Sequence, residues 1–130
     1  MKNAVDACGA RAAVVAAALA LPAHGDGAIG PPHGDAVRGA TVYQVCSACH
    51  SLDEDDVGPR HRGVVGRIAG SVPDYRYSAA LKRSGLVWDA ANLDRWLTDP
   101  QSLVPGTKMF FAMPNAQDRA DVIAYLTEQR

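Results

Sequence analysis

The densest chemistry in the chain lies in five consecutive residues, Cys46, Ser47, Ala48, Cys49 and His50. Two thiols three positions apart fall on one side of a helical turn, and an imidazole follows at once. C-x-x-C-H is the attachment sequence of c-type haem. Each thiol can add to one vinyl group at the haem edge, and the adjacent imidazole then sits beneath the iron as its proximal ligand. Three other chemistries use parts of the pattern. A thioredoxin-like redox pair wants strands and helices alternating around the cysteines, and nothing here alternates in that way. A structural zinc site needs four ligands, and of the three cysteines Cys8 is expected to leave with the N-terminal leader, so that this pair and scattered histidines remain. A plain disulfide suits an oxidising compartment but leaves His50 without a task.

A haem iron usually takes a second ligand from the opposite face. The donors on offer are His24, His33, His61, Met109 and Met113. Met109 closes a proline-bounded loop, Pro105-Gly106-Thr107-Lys108-Met109, about sixty residues beyond Cys49 and far enough to wrap around the other face. A methionine in a small domain is more often core filler than ligand, so the residues by themselves leave this choice open.

The elements that must position these groups have to come from one compact domain, because the chain has 130 residues. Residues 1–23 do not read as part of it. Lys2 and Arg11 give a basic start, Ala12 to Leu21 form an uninterrupted apolar run, and Ala18-Leu19-Ala20 with Pro22-Ala23 supply small residues for a cleavage site. This is the pattern of a secretory signal peptide. The run is half the length needed to cross a bilayer, so the mature chain is expected to have no membrane span and to be periplasmic. Residues 24–33, rich in Gly and Pro, read as a flexible lead, and 34–130 as the domain. The chain has 13 basic and 14 acidic residues. Removing Lys2, Arg11 and Asp6 with the leader leaves a net charge near −2, without the basic excess that nucleic-acid binding requires.

Helical periodicity and caps fit an all-α fold. Asp35 can cap a first helix, for which Val37, Thr41, Val42 and Val45 offer an apolar stripe. Asp89 with Asn92 starts a second, in which Leu93, Trp96 and Leu97 face inward and which Pro100 ends. Asn115 begins the last, with Val122, Ile123, Tyr125 and Leu126 at helical spacing. Between Ser51 and Val72, Gly58, Pro59, Gly63, Gly66 and Gly70 punctuate a segment that reads as loop wrapped over the haem edge.

From about Gly34 to Tyr125 the sequence resembles a class I cytochrome c. Gly39 and Tyr43 precede the cysteines at the spacing of that family's N-terminal helix. Gly58-Pro59 resembles the segment whose proline carbonyl accepts the N–H of the proximal histidine. Gly63, Gly66, Arg67 and Gly70 repeat a G-x-x-G-R-x-x-G run, and Pro105 to Met109 matches the axial-methionine loop. The resemblance implies the cytochrome c fold wrapped around one haem c attached through Cys46 and Cys49, with His50 and Met109 as iron ligands. It also implies that Arg67, Tyr75, Tyr77, Ser78 and Trp88 surround the propionates, and that Trp96 lies close to the haem. The activity implied is that of a monohaem one-electron carrier, not an enzyme, monomeric, shuttling between membrane or periplasmic redox proteins. The alternatives are an electron-transfer subunit of a periplasmic dehydrogenase or oxidase complex, or a haem-based ligand sensor.

The match has departures. The stretch after His50 is short and acidic, Leu81 stands where many members carry asparagine, and a lysine-rich face is absent. The acidic run Asp53 to Asp56 reads either as a solvated loop or as a docking patch for a basic partner. Lys82, Arg83 and Lys108 could form a small basic rim.

Overall fold

A computed structural model describes residues 32–130. The leader and nearly all of the Gly/Pro-rich lead, including His24, lie outside the described residues. Five α-helices follow in order: α1 Ala36–Val42, α2 Ala79–Arg83, α3 Ala90–Thr98, α4 Pro100–Leu103 and α5 Ala116–Glu128. A 3-10 turn over Tyr43–Ala48 continues α1 into the cysteine motif. Among the described residues the one β feature is an isolated antiparallel bridge between Ile68 and Val87, so the architecture is all-α.

Each helix starts where a side chain can accept the unpaired N–H groups of its first turn. Asp35 takes those of Val37 and Arg38, Asp89 that of Asn92, and Asn115 those of Gln117 and Asp118. Asp99 accepts from Gln101 and Ser102, so Pro100 both closes α3 and opens α4 from a position where its missing N–H costs nothing. Ser78 caps α2 through Leu81 N. Leu93, Trp96 and Leu97 form the buried face of α3, as their spacing indicates.

The first and last helices cross closely. Gly39 is the contact point: a Cβ there would collide with the Asp121 carbonyl, so only glycine allows this approach. Tyr43, one turn on, packs on Tyr125 with ring centroids 5.2 Å apart. This corrects the apolar stripe expected for α1. Val37 is 84% exposed and Val45 49%, and the inward face is instead Gly39 and Tyr43 with a half-buried Val42. Close backbone approach, which a hydrophobicity pattern does not register, chose the face. Asp121, fully buried, ties the crossing together. It accepts from the backbone N of Asp35 at 2.7 Å and from Gln117 at 2.8 Å, and it pairs with Arg38.

Candidate functional site

Residues 51–72 form no helix, and their turns fold back on the motif that precedes them. Gly58 N donates to the Cys49 carbonyl at 2.7 Å, which lays Gly58 against the face of the His50 ring. A Cβ at Gly58 would strike that ring. The next residue then presents its carbonyl, and His50 Nδ1 lies 2.7 Å from Pro59 O. Because a carbonyl can only accept, the ring proton is on Nδ1 and Nε2 keeps its lone pair. Burial lowers the His50 pKa, opposed in part by the Pro59 bond, a shift that favours the neutral imidazole a metal ligand requires.

Nε2 belongs to a ring on the wall of a cavity of about 480 Å³, within the range of sites for organic cofactors. Cys46, Cys49 and His50 line it together with Pro59, Arg67, Tyr75, Tyr77, Ser78, Trp88, Trp96 and Met109. All eleven residues singled out in the sequence are therefore brought together. No disulfide joins the two cysteines. Burial, and to a lesser extent Cys49, pushes the Cys46 thiol up to about 11. That is opposite to the depressed pKa of a redox-active C-x-x-C pair. Among the described residues no cluster of three or more His, Cys, Asp or Glu could hold a metal ion.

The candidate second ligands separate by position. Met109 lines the cavity, and its sulfur accepts the Trp96 indole N–H at 3.2 Å. Met113 is buried in the core, with its N–H on the Leu97 carbonyl and its own carbonyl on Arg119. His33 is exposed outside the cavity. His61 lines it, but its ring stacks on His50 with centroids 4.0 Å apart, so it stands on the same side of the cavity as the His50 imidazole.

The polar side chains expected near the propionates are already positioned by the backbone. Arg67, half-buried, donates to the carbonyls of Arg62 at 3.1 Å and Arg60 at 2.7 Å. The Tyr75 hydroxyl donates to the Val57 carbonyl, and its ring meets Tyr77 edge-on at 4.7 Å. Trp88 lies 5.1 Å from Trp96, centroid to centroid.

Sequence reasoning missed the residues that hold the Met109 loop. Gln101, from α4, donates to the carbonyls of Thr107 and Met109 at 2.9 and 3.0 Å. Arg119, from α5, donates to Met113 O, Pro114 O and the Asp94 carboxylate. It also missed Phe110 and Phe111, which line the cavity and are 78% and 42% exposed. Their place immediately after Met109 was the available signal. The acidic run is partly neutralised on the spot: Asp53 pairs with Arg62 and Asp55 with Arg60. This weakens the docking-patch reading.

Comparison with known proteins agrees with this geometry. Residues 36–129 match the family model for cytochrome c. The chain is 50% identical to cytochrome c2 of Rhodomicrobium vannielii over 100 residues, spanning 74% of this chain and 80% of that protein. The structure of cytochrome cH from Methylobacterium extorquens superposes with a TM-score of 0.70 at 47% identity, covering 72% of this chain and 98% of that one. Ferricytochrome c2 from Rhodopseudomonas palustris gives 0.71 at 38% identity, covering 74% and 99%. The chain belongs to the cytochrome c family, as a class I monohaem member. It carries one haem c attached through Cys46 and Cys49, and it moves single electrons between redox partners.

Proposed function

We propose that His50 Nε2 and Met109 Sδ would hold the haem iron, and that the protein is a diffusible, monomeric carrier in the periplasm rather than an enzyme. The observation that carries the ligation is the placement of both groups on one cavity, with His50 Nδ1 committed to Pro59 and Nε2 left free. The bound haem c supplies an iron that changes oxidation state by one electron. His50 and Met109 would both hold the iron, which would leave no site open to a substrate. The chain also keeps the surroundings apolar, which disfavours the extra positive charge of the ferric state. Cys46 and Cys49 fix the macrocycle edge, Pro59 orients the imidazole, and Trp96 orients the thioether. Arg67, Tyr75, Tyr77, Ser78 and Trp88 are assigned to the propionate side.

The basic start, short apolar run and A-x-A-like end of residues 1–23 support export, with cleavage near Ala20–Ala23. Among the described residues no helix is long and apolar enough to cross a membrane.

The deciding measurement is the absorption spectrum of the ferric holoprotein. A weak red band from methionine sulfur to iron is expected, and it should vanish in Met109→Ala while covalent haem remains. A holoprotein without that band, or a Met109→Ala variant that keeps it, would reject the assignment.

A further inference from the structure

His61 is a cavity residue to which the ligation gives no task. Its imidazole lies face to face with that of His50, with ring planes 20° from parallel and centroids 4.0 Å apart. The Tyr43 ring meets it edge-on, with centroids 5.8 Å apart and planes at 61°. Tyr43 is only 6% exposed. Among the described residues, its hydroxyl and His61 Nδ1 are the two enclosed side-chain polar atoms that lack a hydrogen-bond partner. Enclosed polar atoms in native proteins are rarely left unpaired, and these two sit on rings already in contact. A phenol and a neutral imidazole are complementary as donor and acceptor.

We propose that a small shift of the Tyr43 side chain brings its hydroxyl to His61 Nδ1 as a donor, pairing the two atoms that the structure leaves unpaired, and that this dyad holds the His61 ring as a flat brace against the plane of the His50 imidazole. The inference rests on His50 being the proximal ligand, as proposed above. Pro59 holds His50 at Nδ1, and Gly58 lies against the ring. A ring stacked on its face adds a contact across the plane, and partners outside the ligand set are a general means of orienting metal-bound histidine. His61 is thus a positioning residue. With Nδ1 accepting, its ring proton is on Nε2.

The test uses the holoprotein with isotope-labelled histidine nitrogens. In the reduced state the His61 resonances should report a hydrogen-bonded, accepting Nδ1 and a protonated Nε2. Tyr43→Phe keeps the ring packing and deletes the hydroxyl, and it should shift the Nδ1 resonance. In the oxidised state the spread of the haem methyl resonances follows the orientation of the axial imidazole plane. It should change in Tyr43→Phe and change further in His61→Leu, with the methionine-to-iron band retained. If either the Nδ1 resonance or the methyl pattern is unmoved by Tyr43→Phe, the proposal is overturned. Loss of the methionine band in the parent protein would instead overturn the ligation beneath it.

Discussion

The contact between Trp96 and Met109 is the residue-level feature with the clearest electronic consequence. The indole N–H is a donor only, and it points at the methionine sulfur from 3.2 Å. With Met109 as the proposed iron ligand, a hydrogen bond at sulfur would withdraw density that the thioether otherwise gives to iron, and ferric iron needs that density more than ferrous. Trp96→Phe should therefore lower the midpoint potential. If the bond contributes about 0.5–1 kcal/mol more to one oxidation state than to the other, the shift is roughly 20–40 mV. Protein-film voltammetry checks this. Reduced stability with an unmoved potential would show that Trp96 only packs. At this scale the motif was legible because covalent attachment demands contiguous residues: Cys46, Cys49 and His50 cannot be dispersed. Gln101 and Arg119 were not legible, because they act on Met109 and Met113 through backbone carbonyls that only the fold brings near.

Among the elements, the crossing of α1 and α5 is where small changes should cost most. Gly39→Ala places a methyl group on the Asp121 carbonyl, and forced overpacking of this kind costs about 1–3 kcal/mol. A lower denaturant midpoint at unchanged potential is expected. Asp121 supplies the pH dependence of the same joint. The Asp35 backbone N–H is the largest of the influences that hold its carboxyl below the usual range, with help from Gln117 and Arg38 against the opposing effect of burial. A carboxyl depressed in the folded state adds stability above its unfolded pKa and loses it as the pH falls through the folded value. Asp121→Asn should therefore destabilise by roughly 1.5–3 kcal/mol at neutral pH, the range for hydrogen bonds to charged groups. The gap to the parent should begin to narrow below about pH 4, the ordinary carboxylate value at which the unfolded chain takes up the proton, and close as the pH falls through the lower folded-state value. A gap that stays constant with pH would refute the role of the charge. The helix starts here were readable from Asp35, Asp89 and Asn115, because capping is a local exchange between a side chain and the next three N–H groups. Helices α2 and α4, of five and four residues, are too short to leave a period.

Across the whole molecule, core and cofactor site are the same object. Val64, Leu81, Leu93, Trp96, Leu97 and Val122 belong to the hydrophobic cluster and also line the cavity. A domain of this size has little apolar surface to spare, and its cluster is built around a space of about 480 Å³. The sequence hints at this arrangement, since aromatics make up only 6% of the chain and much of its middle is loop. The contact between α1 and α5 does not depend on the cavity to the same degree, because Gly39, Tyr43, Asp121 and Tyr125 make it directly. Removal of the haem should therefore have unequal effects. The two terminal helices should keep part of their far-ultraviolet signal, while α3 and the Met109 loop lose fixed packing. Haem-free chain, or a Cys46→Ala/Cys49→Ala variant purified without haem, is expected to be compact and partly helical. It should bind a hydrophobic dye and melt without a sharp transition. Calorimetry decides the matter: a cooperative endotherm in the haem-free chain would mean that the protein fills its own centre, and that the haem is a passenger rather than part of the core.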